Sequence, residues 1–182
     1  MGRHKKNISF TIYPQDLPEY DKKTATMGSR VAVLMELARL KVDIGLLDDA
    51  SERSKTLLRI HEAGSPIMNI PPRPVIKPAL NDSMVKWTMT QHMKFAVECA
   101  DKADRKGMME NLESAGKAGV EGIQHYINMG KTTPNALITI HGGWMRNKVS
   151  GKPFYVEGKG DKPPLVNTGQ LLSEFSYKVK TR

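Results

Sequence analysis

The chain has 182 residues, of which 39% are hydrophobic and 26% charged, and its formal net charge at pH 7 is +9. This length suits one domain with a modest core. The positive charge favours a polyanionic neighbour such as nucleic acid, an anionic membrane face or an acidic protein surface, and the alternative is a basic surface that only aids solubility. The single cysteine, Cys99, excludes an intramolecular disulfide, and no apolar run approaches the roughly 18 residues of a membrane span.

Residues 1–23 are polar and basic and contain two prolines. We expect them to form an extended arm that becomes ordered only against a partner, with one short strand at 8–13. The beginning of the sequence is charged and lacks the apolar region of a signal peptide, so we expect synthesis in a cytoplasm. Residues 24–182 are expected to form a single domain.

A helix and a strand are predicted after the arm. Residues 24–39 place four apolar residues at helical spacing, namely Val31, Leu34, Met35 and Ala38. Thr26 or Ser29 is expected to cap the start of this helix. The segment 41–47 alternates apolar and other residues in the manner of a strand, with Gly45 as a bulge position, and a polar loop is expected at 48–54.

Two readings fit residues 55–64: a strand, or a short helix that ends at Gly64. The following segment, 65–78, contains five prolines: Pro66, Pro71, Pro72, Pro74 and Pro78. Each proline removes a backbone donor. The segment is therefore expected to be extended, with polyproline character, rather than a helix interior or a central strand.

The longest helical region is predicted at 81–130, with Asn81, Asp82 or Ser83 as its N-cap. Two sets of residues recur at helical spacing: Met84, Trp87, Gln91, Phe95 and Cys99, then Met108, Leu112, Ala115, Val120, Ile123 and Ile127. Four glycines weaken the second part, each by roughly 1 kcal/mol relative to alanine: Gly107, Gly116, Gly119 and Gly122. We expect two helices or one kinked helix, and the glycines alternatively allow close approach of a neighbouring subunit.

The remainder is predicted to be rich in loops, with a short helix within 134–148 and a final strand at 174–180. In that strand Phe175, Tyr177 and Val179 alternate with polar residues, which indicates one apolar face. The predicted fold class is α+β: a small, mainly antiparallel sheet packed by one long or kinked helix pair, with an extended N-terminal arm and long loops.

No catalytic, cofactor-binding or metal-binding residues are predicted. The sequence His61-Glu62 begins an HExxH zinc motif, but Ser65 stands where the second histidine is required. No phosphate-binding GxxxxGK[ST] loop and no GxSxG serine turn occur. Basic residues are spread along the chain without a recognition helix or an RNA-binding aromatic pair, so only sequence-independent contact with phosphates is expected.

Two segments together resemble a known family. Residues 57–80 contain a His-Glu-x-Gly turn followed by an Ile-Pro-x-Arg-Pro run, and residues 159–179 contain Pro-Leu-x-x-Thr-Gly-x-Leu before the last strand. These are similar to the two signature stretches of the neck or tail-completion proteins of long-tailed bacteriophages, the virion-morphogenesis family. The sequence departs from the family pattern at Val75, where an aromatic residue is common, and at Asn167, where aspartate is usual.

The resemblance implies structural roles for eight residues: Pro71, Arg73, Pro74, Thr168, Gly169, Leu171, Phe175 and Tyr177. The prolines would pre-order the chain that leads into the long helix, and Arg73 would hold a carboxylate or backbone carbonyls there. Thr168 and Gly169 would form a helix cap or turn, with Gly169 at positive φ. The last three residues would fasten the final segment to the sheet.

The resemblance also implies a function. We expect a structural virion protein without catalytic activity, located in the neck at the head–tail junction and assembled in the host cytoplasm. Its expected partners are copies of itself in a ring of six or twelve, the head connector or portal-side protein, the tail terminator or tail tube protein, and genomic DNA in the lumen; no membrane and no cofactor are expected. The alternatives are a nonspecific basic DNA-binding protein and a hydrolase with an unrecognised site.

Overall fold

The computed structural model of the chain describes residues 9–12, 29–66, 70–132, 134–147, 149–158, 160, 165 and 169–182. These residues form an α+β fold, which confirms the predicted fold class. The helices are α1 (Ser29–Arg39), α2 (Glu52–Ala63), α3 (Ile76–Leu80), α4 (Ser83–Asp101), α5 (Arg105–Asn128), α6 (Leu137–His141) and α7 (Gln170–Ser173). The strands are β1 (Ser9–Ile12), β2 (Leu40–Gly45), β3 (Gly143–Arg146), β4 (Pro153–Val156) and β5 (Ser176–Thr181).

A three-stranded antiparallel sheet brings the two ends of the chain together. Its order is β1–β2–β5, so the C-terminal strand and the N-terminal strand flank the central one. Val42 and Ile44 of β2 are fully buried and lie opposite Val179 and Tyr177 of β5. The strands predicted at 8–13, 41–47 and 174–180 are thereby confirmed.

The core lies between this sheet and the antiparallel pair α4 and α5. Three glycines of α5 allow the elements to approach closely: a Cβ added at Gly116 would lie 2.5 Å from the Tyr177 ring, and one at Gly119 would lie 2.6 Å from Ile44. At Gly122 the neighbour is Val85 of α4, at 2.7 Å. Packing within the chain therefore explains these three glycines, and close approach of a neighbouring subunit is not needed to account for them.

Two separate helices, rather than one kinked helix, span 81–130. Asp82 caps α4 by accepting a hydrogen bond from the Met84 amide at 3.1 Å. The break falls at residues 102–104, where Ala103 adopts a positive φ of 59°. Asp104 then caps α5 by accepting from the Gly107 amide at 2.9 Å.

The predicted inward face of α4 is wrong. Met84, Trp87 and Phe95 are 69%, 60% and 48% exposed. The buried residues are instead Met89, Met93, Ala96 and Ala100. The physical reason is the close packing of α4 on α5, which needs small or flexible side chains rather than the largest apolar ones.

The face of α1 is shifted in the same way. Val33 and Leu37 are buried, whereas Val31 and Met35 are 39% and 55% exposed. Leu34, at the edge of the predicted stripe, is half-buried and packs against the core. Helical spacing alone fits both faces, and contact with α4 selects one of them.

Three local predictions are confirmed only in part or need correction. The segment 55–64 follows the helical reading and ends at Gly64, but its helix α2 already begins at Glu52, inside the expected polar loop. Pro78 lies in the short helix α3 rather than in an extended segment, which is tolerated because the first-turn amides of a helix have no intrahelical partner. The short helix predicted within 134–148 is α6, whereas Gly143–Arg146, expected to lie in a region rich in loops, form a strand that pairs with β4 in a hairpin.

Candidate interaction surfaces

The two segments that carry the family resemblance meet in one cleft. Helix α2 and the chain after it form one side, and the residues around α7 form the other. The cleft has a volume of about 390 Å³ and is lined by Arg53, Ser54, Leu57, His61, Ile70, Arg73, Asn135, Thr139, Leu165, Gly169, Gln170 and Leu171. Two arginines and no carboxylate belong to this described lining, so the cleft favours carbonyl or anionic groups over cations.

A tight turn after α2 explains the His-Glu-x-Gly sequence. Gly64 has a φ of 72°, and a Cβ there would lie 2.8 Å from the Ile70 carbonyl oxygen and 2.9 Å from the Pro72 nitrogen. Ser65 and Ile70 exchange backbone hydrogen bonds of 2.8 and 2.9 Å across the turn. Only glycine meets both the conformational and the steric requirement.

Glu62 fixes the other end of the same turn. Its Oε1 accepts hydrogen bonds from the amides of Val75 and Ile76, at 2.8 and 3.0 Å. These amides open α3, where a carboxylate satisfies donors that have no partner within the helix. The glutamate of the signature therefore acts as a cap for the next helix, and no catalytic role is needed to explain it.

Arg73 ties this turn to the chain beyond α5. The residue is 7% exposed, and its Nη2 donates to the carbonyl oxygen of Pro134 at 2.9 Å. Its own amide bonds to the His61 carbonyl, and burial lowers the pKa of the guanidinium. Contact with a backbone carbonyl is one of the two roles predicted for Arg73.

The second signature segment places its residues as a turn and a core anchor. Gly169 adopts φ 78° immediately before α7, which confirms the predicted positive φ. Leu171 and Phe175 are 7% and 4% exposed and belong to the core. Tyr177 is half-buried against α5; Thr168 lies outside the described residues.

Glu174 connects α7 to the start of α2. Its carboxylate accepts hydrogen bonds from the Ser51 backbone amide and from the Gln170 side-chain Nε2, each at 2.8 Å. Ser51 is also the N-cap of α2, since its Oγ accepts a hydrogen bond from the Ser54 backbone amide. Desolvation raises the pKa of Glu174, but hydrogen bonds from Gln170, Ser51 and Ser54 together outweigh it and lower the pKa below its usual value.

The structure therefore brings most of the predicted residues into one region. Arg73, Gly169 and Leu171 line the cleft. Pro71 and Pro74 lie two residues before and one residue after Arg73, and both are exposed. Phe175 and Tyr177 continue from α7 into the sheet. Sequence patterns did not identify Glu62 or Glu174 as the carboxylates that hold this region together, because the amides they bind lie 13 and 123 residues away in the sequence.

An exposed aromatic hairpin, residues 143–156, was also missed. The Trp144 and Tyr155 rings meet edge to face with centroids 5.6 Å apart, and the residues are 72% and 59% exposed. Asn147 Oδ1 accepts from the Val149 and Ser150 amides in the turn, and Gly151 has φ 68°. An asparagine and a glycine between two short aromatic runs are typical of a hairpin and could have revealed it.

Several charged groups elsewhere form ion pairs within the fold. Asp43, 5% exposed on β2, contacts the amines of Lys180 and Lys41. The hydrogen bond to Asp43 raises the pKa of Lys180.

In the part of the chain that the structure describes, no three His, Cys, Asp or Glu residues lie close enough to share a metal ion. No described helix is long and apolar enough to cross a membrane.

Comparison with known proteins gives no assignment. No family model matches the chain, and no curated protein and no solved structure matches it significantly.

Proposed function

We propose that this protein is a structural virion component of the phage neck, which joins the DNA-filled head to the tail as part of a ring around the DNA channel. The observation that carries the proposal is the meeting of the two resemblance segments in one cleft. They are separated in sequence by α4, α5 and the hairpin. Glu62, Gly64, Arg73 and Gly169 each have a structural role there, which favours a rigid scaffold over a reaction centre.

The cleft supports a scaffold because its bonds join elements rather than orient a reactive group. Glu62 caps α3, Arg73 holds the Pro134 carbonyl, and Glu174 holds the start of α2. Together they fix the loop that leads into α4 and the segment that leads into β5. A subunit of a load-bearing junction needs such fixed connections, because it must transmit force from one neighbour to the next.

The net charge suits the proposed position. Each copy carries +9, so a ring of copies would surround the DNA with positive potential. Contact with phosphates of this kind is independent of base sequence and weakens with salt. The proposed partners are further copies, the head connector or portal-side protein, the tail terminator or tail tube protein, and the DNA; no cofactor is part of the proposal.

The proposal can be tested by complementation in vitro. Heads and tails from a phage whose copy of this gene is interrupted are mixed with the purified protein, and infectious particles are counted. We expect infectivity to rise with added protein and to stay at background with a Gly64→Ala variant that disturbs the turn. Infectivity that is independent of added wild-type protein would contradict the proposal.

The net charge also favours a second function, sequence-independent DNA binding without a role in assembly. In that case the isolated protein would bind any duplex, and log Kd would change linearly with log salt with a slope set by the number of phosphates contacted. Such binding together with normal assembly of particles that lack the protein would favour this second function over the neck.

A further inference from the structure

We propose that the aromatic hairpin of one copy docks into a groove between the start of α4 and the end of α5 of a second copy. This inference rests on the proposed ring for its arrangement, and it assigns the two surfaces that would build the ring. Because the hairpin and the groove are different surfaces, the contact is heterologous, and such a contact builds a ring when the rotation between neighbouring copies closes.

The hairpin has the composition of an interface anchor. Trp144 pairs with Tyr155 across the strands, and Arg146, two residues after Trp144, lies on the same face. Tryptophan, tyrosine and arginine are the residues that most often dominate binding energy at protein interfaces. Residues 137–156 contain three cationic side chains and no carboxylate, so this surface is locally positive.

The groove has a complementary form and charge. Its volume is about 320 Å³, and its floor lies where Val85 of α4 approaches Gly122 of α5. The described lining consists of Ala79, Asp82, Met84, Val85, Thr88, Ala118, Glu121, Gly122, His125, Tyr126 and Lys131. Asp82 and Glu121 place two carboxylates beside an apolar floor, with Lys131 at the groove as well.

A second copy is the occupant that fits both surfaces. Met84 and Trp87, 69% and 60% exposed, extend the apolar floor along α4 and would cover the Trp144 and Tyr155 rings. Arg146 would then face Glu121, whose present partner Lys117 is 3.9 Å away in an exposed pair. Exposed ion pairs of this kind contribute little to stability. Glu121 would therefore lose little stabilisation if it left Lys117 and paired with Arg146 of the second copy.

Charge reversal tests this contact directly. Self-association of the full-length protein is measured by sedimentation velocity for wild type, Arg146→Glu, Glu121→Arg and the double variant. We expect each single reversal to weaken association by roughly tenfold or more, and the double reversal to restore most of it because the pair is re-formed with opposite signs. Trp144→Ala should weaken association at least as much as either reversal.

Matched controls separate a specific contact from changes of net charge or apolar area. Lys94→Glu changes the net charge as Arg146→Glu does, on α4 but outside the groove lining. Met35→Ala removes an exposed apolar side chain from α1. Both controls should associate as wild type does. All substituted residues are exposed, so circular dichroism spectra and melting temperatures should be unchanged.

Three results would overturn the inference: a wild-type protein that stays monomeric up to its solubility limit, single reversals that associate as wild type does, or a double variant as weak as the singles. The experiment measures self-association, so the hairpin contact can be disproved while the neck proposal stands. Unjoined heads and tails in the absence of the protein, together with unchanged association of the variants, would leave the neck function standing and remove only this contact.

Discussion

At the scale of single residues, the signature sequences are explained by backbone conformation and capping. Gly64 and Gly169 both have positive φ, but only Gly64 is also enclosed by backbone atoms. Glu62 and Glu174 each accept hydrogen bonds from amides of another element. These residues therefore fix the direction of the chain at the points where it enters α3, α2 and α7.

Substitution of the two glycines separates strain from steric clash. We expect Gly64→Ala to lower the free energy of unfolding by about 2–4 kcal/mol, because it adds a clash with the Ile70 carbonyl to the cost of positive φ. Gly169→Ala is the matched control, with the same sign of φ and open space around the new Cβ, and should cost about 1–2 kcal/mol. Denaturant unfolding measures both, and equal losses would contradict the enclosed turn.

Glu174 should make stability depend on acid. Its pKa is lower in the folded state, so the stabilisation is present above the unfolded value of 4.5 and is lost as pH falls through the folded pKa. In Glu174→Gln this contribution is absent. We expect wild type to have a higher melting temperature than Glu174→Gln at pH 7, and the difference between them to narrow below pH 4.5. Thermal unfolding of both proteins across this pH range measures the difference, and a difference that stayed constant would contradict the role of Glu174.

At the scale of elements, the sequence predicts which segments are helix or strand better than which face is buried. The strands β1, β2 and β5 follow from alternation, and the two helices within 81–130 were one of two alternatives, with one kinked helix as the other. The inward face of α4 does not, because the exposed Trp87 and Phe95 outrank the buried Ala96 and Ala100 in hydrophobicity. Periodicity locates a stripe, and only tertiary packing decides which stripe the neighbouring element covers.

The cleft was partly predictable for a similar reason. Glycine imposes local constraints that can be read without knowing the fold, so the positive φ of Gly169 was predicted correctly. For Arg73 the contact with a backbone carbonyl was one of two predicted alternatives. The partners of Glu62 and Glu174 lie 13 and 123 residues away. Their contacts depend on the long-range arrangement of α2, α3 and α7, which a single sequence does not reveal.

The packing of α5 on β5 provides a prediction at this scale. Gly116→Ala gains about 1 kcal/mol in helix propensity but overpacks Tyr177 at a cost of about 1–3 kcal/mol, so we expect a net loss of up to about 2 kcal/mol. The Tyr177 Cβ is 2.9 Å from the new atom, which prevents relief by ring rotation alone. In a Tyr177→Ala background the loss should shrink; an equal loss in both backgrounds would refute the contact.

At the scale of the whole molecule, the fold presents a fixed core and projecting surfaces. In the sheet, β2 lies between β1 and β5. The two resemblance segments lie side by side where they line the cleft. Outside this core lie the aromatic hairpin and the exposed face of α4. A basic subunit with a rigid centre and two outer surfaces of this kind would suit the proposed position in a ring around DNA.

Electron microscopy of lysates from a phage whose copy of this gene is interrupted tests the neck proposal most directly. We expect DNA-filled heads beside separate, unattached tails, because each half assembles but the junction between them is missing. Supply of the intact gene in trans should restore joined particles. Normal, joined and infectious particles in the absence of the protein would contradict the neck function.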